Sequence, residues 1–385
     1  MDYFLNEQQR MIQQLARRIA EEKIVPIRAE LDEKEEFPWS VMKDLAEADL
    51  FRVFVPEEYG GLGGGCLDLC LAIEELSRGC TGVAISYAAT ALGTFALVQF
   101  GTEEQKRKHL PAVADGKTLA AFALTESTAG SDAAGIRTTA TKGDGHYVLN
   151  GTKQFITNGG EADIYTVVAL TDKSKGSRGA SAIILEKGMT GFSFGKKERK
   201  LGIRASATRE LVFRNCEVPA GSLLGREGMG FIVAMKTVDY SRPGVGAQAL
   251  GLAQSALEAA VGYARERVQF DHPVSSFQAV QHMLANMAIE IEAARSLIYS
   301  VARTIDNGAK DFTEASAAAK VFAADVAMRT TTDAVQIFGG AGYMKDYPVE
   351  KMMRDAKITQ IYEGTNQVLR NVVALELLKR KGMRE

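Results

Sequence analysis

The chain of 385 residues has little of several residue types, and each shortage excludes a class of protein. Its four cysteines are too few and too irregularly spaced for a disulfide framework. It has 46 basic and 48 acidic residues, so it lacks the basic excess of a dedicated nucleic-acid binder. The sequence contains no run of 18 apolar residues, so we predict no membrane span. The N-terminus has no recognisable targeting leader. We therefore expect a cytoplasmic protein that neither binds nucleic acid nor spans a membrane.

Histidine is also scarce, with four residues, and this argues against a metal site. A di-iron bundle needs a glutamate three residues before a ligating histidine. The residues at those places are Lys106, Gly143, Gln269 and Ala279. Cys66 and Cys70 lie four residues apart without a second pair, so we interpret them as small buried side chains. We expect no metal.

Hydrophobic periodicity divides the chain into three parts. Residues 1–120 show only helical patterns, residues 121–229 contain short β-branched and apolar runs, and residues 230–385 carry four long Ala-rich helical stretches. The predicted fold class is α+β. It consists of an N-terminal helical domain, a central antiparallel β-domain and a C-terminal four-helix bundle.

Three local signals make this prediction specific. Asn6 should cap the first helix, with Gln9 as its capping-box partner. The dipeptide Asn150-Gly151, flanked by apolar runs, predicts a β-hairpin. The first long helix of the C-terminal part is expected over residues 245–268.

Two glycine-rich segments resemble phosphate cradles. Neither residues 60–65 nor residues 339–342 follow a predicted strand, and Cys66 stands where G-x-G-x-x-G needs its last glycine. We interpret the first segment as a turn between helices. The second is either a helix C-cap or a place where a ligand approaches the backbone closely.

Two polar segments are candidates for chemistry. Residues 125–132 combine hydroxyls with small side chains, which suits contact with a polar ligand, although an ordinary capped turn has the same composition. Residues 361–367 place the carboxylate of Glu363 beside Gly364 between two predicted helices. Taken alone, such an acid is explained as a favourable charge at a helix start.

Six segments in chain order resemble signatures of the acyl-CoA dehydrogenase family, and the resemblance spans essentially the whole chain. They are TESTAGSD at 125–132, KQFITNGG at 153–160, DYSRPGVGAQALGLAQ at 239–254, RERVQF at 265–270, QIFGGAGY at 336–343 and RDAKITQIYEGTNQ at 354–367. The resemblance implies an acyl-CoA dehydrogenase-like fold with one FAD per subunit. It also implies an acyl-CoA substrate, an electron-transfer flavoprotein as electron acceptor, and a homotetramer built as a dimer of dimers.

The resemblance also assigns roles to individual residues. Glu363 is the expected base, which removes the α-proton while the β-hydride passes to flavin N5. The residues implied at the flavin ring are Phe122, Leu124, Thr125, Phe155 and Thr157, and Thr365 and Gln367 should approach the cofactor of the same chain. Those implied at the adenine dinucleotide part of a neighbouring subunit's FAD are Arg267, Phe270, Gln278, Gln336, Gly339 and Gly340. Those implied at the substrate are Ser131, Asp239 and Arg242 for CoA, with Tyr362 and Gly364 at the thioester.

The residues around these positions refine the expectation. Burial beside an acyl chain should raise the pKa of Glu363. Some family members carry the base at positions matching 239–243, but here Ser241 and Arg242 stand there, so Glu363 has no competitor. The expected pocket floor, residues 87–90, contains no arginine, which disfavours a dicarboxylic acyl group. Two departures stand out: Ser127 replaces a frequent proline, and Asp271-His272 replaces a glycine-containing step at the pyrophosphate.

Several alternatives stay open at this stage. An acyl-CoA oxidase or a flavin monooxygenase could share the scaffold, and the reactivity of the reduced flavin with oxygen would distinguish them. The same site could run in the enoyl-CoA reductase direction. A non-catalytic helical assembly protein would carry no flavin. The acyl group itself, whether short, medium, branched or cyclic, is not determined by these patterns.

Overall fold

Six helices form the first part of the protein in a computed structural model, which describes residues 3–381 and side chains as far as residue 379. They are α1 (Glu7–Ile19), α2 (Arg28–Lys34), α3 (Trp39–Glu47), α4 (Cys66–Gly79), α5 (Thr81–Phe100) and α6 (Glu103–Ala114). The predicted capping box is confirmed, because the Asn6 side chain accepts from the backbone N–H of Gln9 and the Gln9 side chain accepts from that of Asn6. Residues 1–2 and 382–385, the ends of the first and third predicted domains, lie outside the described residues.

A sheet of eight strands forms the middle of the chain. The strands are β1 (Ala120–Ala123), β2 (Thr139–Lys142), β3 (His146–Thr157), β4 (Ile164–Leu170), β5 (Ala180–Glu186), β6 (Phe192–Lys197), β7 (Thr208–Pro219) and β8 (Leu223–Leu224). Their order is β6-β7-β3-β2-β4-β5-β8, and β1 pairs with β4. The sheet is mixed, because β1 and β2 each run parallel to β4 while the other pairs are antiparallel. The predicted order of a helical, a β and a second helical domain is confirmed, but the prediction that the β-domain is antiparallel was wrong for the pairs of β1 and β2 with β4.

The predicted hairpin at Asn150-Gly151 was also wrong. Strand β3 runs straight through the dipeptide and stays paired with β7 on both sides, with a register shift between Leu149 and Gly151. The Asn150 side chain accepts a hydrogen bond of 2.8 Å from the backbone N–H of Asn215 on β7. Gly151 has a φ of +145°, and a Cβ there would lie 2.6 Å from the Thr138 hydroxyl. The dipeptide therefore makes a bulge where another strand passes closely.

Five helices and a small hairpin complete the described chain. The helices are α7 (Gly230–Glu266), α8 (Gln278–Asp306), α9 (Thr313–Phe338), α10 (Val349–Thr359) and α11 (Asn366–Lys381), and the hairpin consists of β9 (Val268–Gln269) and β10 (His272–Pro273). The four long helices were predicted, whereas α10 was not recognised as a helix of its own.

Helix α7 begins at Gly230, well before the predicted residue 245, and continues through Pro243. A proline has no N–H to donate to the carbonyl four residues earlier, which here belongs to Asp239. The Ser316 hydroxyl on α9 donates to that carbonyl at 2.6 Å instead. Because a neighbouring helix supplies the missing donor, the helix crosses the proline.

Helix α5 is long and apolar enough, by length and composition, to cross a membrane. However, 72% of its apolar window is buried inside the protein. A Cβ on its Gly93 would lie 2.7 Å from the backbone nitrogen of Ala121, so the helix and strand β1 are in close contact. We therefore interpret α5 as a core helix between the helical layers and the sheet.

Candidate active site

Glu363 lies in the loop between α10 and α11, on a backbone with left-handed geometry. Its φ is +51°, and Gly364 follows with a φ of +96°. A Cβ on Gly364 would lie 2.8 Å from Cδ2 of Leu369, so the second position requires glycine on two grounds. Non-glycine residues in this region cost free energy and cluster at functional sites. The half-buried carboxylate of Glu363 is directed toward helix α7.

Ser241 and Arg242 of α7 contact Glu363, and Asp239 of the same helix pairs with Arg242. The Ser241 hydroxyl donates a 2.5 Å hydrogen bond to Oε2 of Glu363. Nε of the buried Arg242 lies 3.4 Å from the backbone oxygen of Glu363, and its guanidinium forms an ion pair with Asp239. The Thr313 hydroxyl on α9 donates to the other oxygen of Asp239 at 2.8 Å. The fold thus brings together Asp239, Arg242 and Glu363, which the sequence assigned to one site.

Burial raises the pKa of Glu363 above its ordinary value. The hydrogen bond from Ser241 and the positive charges of Arg242 and Lys320 act in the opposite direction. A carboxylate with a raised pKa is a stronger proton acceptor once it is ionised. The side chain therefore has the electrostatic setting of a general base.

Lys320 was missed by the sequence analysis. It is fully buried on α9, and its Nζ donates to the backbone oxygen of Gly364 at 2.8 Å and to Oδ1 of Asn366 at 3.0 Å. The signal available in the sequence was a single lysine within the apolar stretch AAAKVFAA. A charged residue in such a stretch is a buried group that needs a partner.

Tyr362 and Thr365 complete the loop around Glu363. The Tyr362 hydroxyl donates to Oε1 of Gln248 on α7 at 2.5 Å, and burial raises its pKa, so it stays protonated. The Thr365 hydroxyl accepts from the backbone N–H of Val368 and caps α11. Gln367 lies exposed on the first turn of that helix, and Ser131 is exposed on the loop between β1 and β2. Neither of these two joins the hydrogen bonds around Glu363.

The residues implied at the flavin ring meet at one edge of the sheet. The segment after β1 lies against β3, because the backbone N–H of Gln154 donates to the oxygen of Thr125 at 2.8 Å. Phe155 has a φ of +58°, and the residue is 57% exposed to solvent. The half-buried hydroxyls of Thr125 and Thr157 have no hydrogen-bond partner within residues 3–381. This edge, which also includes Phe122 and Leu124, presents an exposed ring and two uncommitted hydroxyls to a ligand.

A buried ion pair holds this edge in place, and the sequence analysis did not identify it. Nζ of Lys153 donates to the oxygen of Leu124 at 2.9 Å and to Oε1 of Glu126 at 2.7 Å. Glu126 also accepts from the backbone N–H groups of Arg137 and Thr138. Burial lowers the pKa of Lys153 to about 8, while the same lysine's charge holds the pKa of Glu126 below its ordinary value against the effect of burial.

The residues implied at the neighbouring subunit's FAD lie together at one end of the bundle. Tyr263 of α7 stacks on Phe338 of α9 with ring centroids 4.0 Å apart, which places the β9–β10 hairpin beside the end of α9. Phe270 at the hairpin turn is 85% exposed. Cβ atoms on Gly339 or Gly340 would meet no atom within 4 Å. These residues, with Arg267, Gln278 and Gln336, form an open surface.

A cavity of about 630 Å³ is lined in part by Asp239, which pairs with Arg242 beside Glu363. Its apolar wall includes Phe95 and Tyr240, whose rings meet edge to face at 4.7 Å. Asp239, Lys236 and Lys310 also line it, so it combines an apolar wall with two ammonium groups. Of the expected floor residues 87–90, Tyr87 is turned into the core, where its hydroxyl donates to the oxygen of Leu50.

Known proteins resemble this chain over nearly its whole length. Three family models match the chain: "Acyl-CoA dehydrogenase, N-terminal domain" over residues 6–117, the middle domain over 121–216 and the C-terminal domain over 228–378. The structure of butyryl-CoA dehydrogenase from Megasphaera elsdenii is 50% identical and superposes with a TM-score of 0.96, covering 98% of this chain and 100% of the other.

Two further structures are similar over nearly the whole chain. A chain in the structure of the electron transferring flavoprotein of Acidaminococcus fermentans is 52% identical with a TM-score of 0.96, covering 98% of this chain and 100% of that one. An acyl-CoA dehydrogenase complexed with FAD from Bacillus anthracis is 37% identical with a TM-score of 0.92, covering 99% of this chain and 68% of that one.

Proposed function

The chain belongs to the acyl-CoA dehydrogenase family, and on this premise we propose that it uses FAD to convert an acyl-CoA thioester to the 2-enoyl-CoA. The observation that carries the proposal is the setting of Glu363. A strained loop presents its carboxylate, burial raises its pKa, and Ser241 and Arg242 orient it. No other carboxylate among the residues assigned to the site has this combination, since Asp239 is already paired with Arg242.

The two oxygens of Glu363 have different environments. Oε2 accepts the Ser241 hydrogen bond, whereas Oε1 has no hydrogen-bond partner within the described chain. In the proposed reaction Oε1 receives the α-proton of the thioester. The backbone N–H of Glu363 is also uncommitted within residues 3–381, and it would donate to the thioester oxygen, where negative charge develops as the proton leaves.

The site fits FAD on two separate surfaces. The sheet edge at Phe155 offers the hydroxyls of Thr125 and Thr157 to the flavin ring. The open surface at Phe270 and Gly339 would hold the adenine dinucleotide of a neighbouring subunit's cofactor. When bound, FAD supplies the acceptor for the β-hydride. The protein would then be a homotetramer in which the sites depend on subunit contact.

We infer a short acyl group as the preferred substrate. The 50% identity to a butyryl-CoA dehydrogenase over the full chain supports this preference. The cavity at Asp239 suits CoA, because Lys236 and Lys310 can pair with phosphates and the aromatic wall can contact apolar atoms. The likeness to a chain in an electron transferring flavoprotein structure supports a flavoprotein of that kind as the electron acceptor.

Flavin bleaching tests the proposal. The purified protein should be yellow and should bleach with a short acyl-CoA, whereas Glu363→Gln should stay yellow and not bleach. The matched control is Glu36→Gln, a change in an exposed carboxylate of the N-terminal helical part, and it should bleach like the wild type. Substantial turnover by Glu363→Gln would refute the base assignment.

The same preparation separates the alternatives. A panel of short, medium, branched and cyclic acyl-CoA thioesters should give the fastest bleaching with a short acyl group. Rapid reoxidation of the reduced flavin by oxygen with product bound would instead indicate an oxidase. Faster turnover with an enoyl-CoA and a reductant would indicate the reductase direction. Tetrameric protein that is free of flavin would refute the enzymatic role.

A further inference from the structure

Lys320 is a buried ammonium group that the proposed reaction does not use. It lies in the N-terminal third of α9, fully buried, and its hydrogen bonds go to the loop that carries Glu363 and to the first residue of the helix after it. One acceptor is the backbone oxygen of Gly364, the residue directly after the base. The other is Oδ1 of Asn366, the first residue of α11. Lys320 therefore holds the chain at Gly364, the second residue of the strained pair Glu363-Gly364, and at Asn366.

The rest of α9 reinforces this grip. Oδ1 of Asp325 accepts hydrogen bonds from the side chains of Gln360 at 2.7 Å and Asn366 at 2.9 Å. The Asn366 side chain also lies 3.3 Å from the oxygen of Val321. Residues at both ends of the loop are thus hydrogen-bonded to α9, and Lys320 of the same helix adds its bonds to Gly364 and Asn366. A lysine kept only for solubility or packing would not be buried with two loop acceptors.

The charges that face Lys320 come from three elements. Glu363 lies on the loop, Arg242 on α7 and Asp325 on α9. Burial lowers the pKa of Lys320 to about 7, and the negative charges of Glu363 and Asp325 oppose that effect while Arg242 adds to it. In return, the charge of Lys320 lowers the pKa of Glu363. The two groups therefore stabilise each other's ionised forms.

We propose that Lys320 is a positioning residue for the base: its ammonium group holds the Glu363 loop, and its positive charge favours the ionised carboxylate. This inference rests on the proposed function of Glu363. Lys320 has no assigned contact with substrate or cofactor, and it acts through the loop. Its removal should change the pH at which the base becomes active as well as the maximal rate.

The test is the pH profile of kcat/KM, measured with FAD-loaded enzyme and a short acyl-CoA. The base must be ionised, so activity rises with pH through the pKa of Glu363. Lys320→Met removes the charge and both hydrogen bonds, whereas Lys320→Gln removes the charge but keeps a donor for Gly364. Both variants should move the acid limb upward by about one pH unit. At a pH below the acid limbs of both wild type and variant, the kcat/KM of the variant, taken as a fraction of its plateau value, should then be about tenfold lower than that of the wild type.

Two further variants separate positioning from a general loss of structure. Lys320→Arg keeps a positive charge and donors, and it should leave the acid limb at the wild-type pH. Lys351→Met is the matched control, because Lys351 is also a buried lysine, and its hydrogen bonds go to Cys80 and Asp355 instead of the Glu363 loop. Its loss should lower the melting temperature and leave the acid limb unmoved.

The outcomes are distinct. If Lys320→Gln and Lys320→Met bind FAD normally and keep the wild-type limb, the inference is refuted. If Lys351→Met shifts the limb as far, the effect is a general one and the inference is also refuted. If Lys320→Met does not bind FAD, the Gln variant decides, because it leaves no backbone acceptor without a donor. Wild-type protein that never bleaches would refute the proposed function instead.

Discussion

The hydroxyl of Ser241 on α7 donates a hydrogen bond of 2.5 Å to Oε2 of Glu363, a residue 122 positions later in the chain. Oε1, the other carboxylate oxygen, has no hydrogen-bond partner within residues 3–381. The Ser241 hydrogen bond also favours the ionised form of the carboxylate, against the effect of burial. One hydroxyl therefore both orients the proposed base and limits the rise of its pKa.

Ser241→Ala should move the acid limb of the kcat/KM profile to higher pH. The alanine removes a hydrogen bond that favours the carboxylate, so the pKa of Glu363 should rise further. At a pH below the limb we expect roughly a tenfold loss of kcat/KM, with a smaller loss on the plateau. The measurement is steady-state turnover across pH with one acyl-CoA.

Two variants control this experiment. Ser241→Thr keeps the hydroxyl and should retain the wild-type limb. Ser206→Ala removes a buried hydroxyl in the β-domain that donates to the oxygen of Ile203. It should leave the limb unmoved. A wild-type limb in Ser241→Ala would contradict the role given to this hydrogen bond.

Glu363→Gln should make the protein more stable at alkaline pH. The pKa of Glu363 is raised in the folded state, so the folded protein binds the proton more tightly than the unfolded chain does. As pH rises above the unfolded value, ionisation of Glu363 therefore costs stability, by about 1.4 kcal/mol for each pH unit between the two pKa values. Glutamine does not ionise and avoids this cost.

Melting temperatures of wild type and Glu363→Gln across pH measure this effect. The variant should melt higher at pH 8, and the difference should vanish below about pH 4, where both side chains are neutral. The exposed Glu36→Gln serves as control and should follow the wild-type curve. A difference between Glu363→Gln and wild type that is constant with pH would contradict the prediction.

Phe270→Ala should weaken FAD binding without unfolding the subunit. The ring is 85% exposed in the single chain, so its removal opens no cavity there. If the ring contacts a neighbouring subunit's cofactor, the dissociation constant of FAD should rise about tenfold. Flavin fluorescence titration of the apoprotein measures it. Met11→Ala, a change in another exposed apolar side chain, should leave FAD affinity unchanged, and equal affinities in both variants would contradict the assignment.

Two glycines of α7 should respond in opposite ways to alanine. A Cβ on Gly251 would lie 1.9 Å from the backbone oxygen of Glu74, so Gly251→Ala should force α4 and α7 apart and cost about 3 kcal/mol or more. Gly262 has no atom within 4 Å of that position, and Gly262→Ala should stabilise the helix by about 0.5–1 kcal/mol. Denaturant unfolding of the two variants compares them directly, and equal stabilities would contradict the close contact.

Periodic elements and motif residues were predictable from the sequence. The capping box at Asn6, the long helices α8 and α9 and the loop position of Glu363 each depend on residues close together in the chain. Local chemistry determines such features, so a local pattern is enough to find them. The α–β–α order follows from the same patterns.

The features that the sequence did not predict depend on contacts between residues far apart in the chain. Asn150-Gly151 has the composition of a hairpin turn, but pairing with β7 makes it a bulge. Helix α7 crosses Pro243 because Ser316 on another helix supplies a donor. Lys320 is joined to the Glu363 loop across 44 residues of chain. No local pattern encodes these partners, so the sequence alone pointed to Glu363 as the candidate base but not to Lys320, which hydrogen-bonds its loop.

Asn158, on the turn after β3, joins the β-domain to helix α5. Its Nδ2 donates to the oxygen of Ser86 on α5 at 2.9 Å and lies 3.2 Å from the Thr90 hydroxyl, while its backbone N–H donates to Ala207. One fully buried residue therefore joins the sheet to helix α5 through several hydrogen bonds. A hinge motion between these layers would have to break several buried hydrogen bonds at once. We therefore expect acyl-CoA to reach Glu363 through local movement of loops and side chains, with the β-domain and helix α5 staying together as one unit.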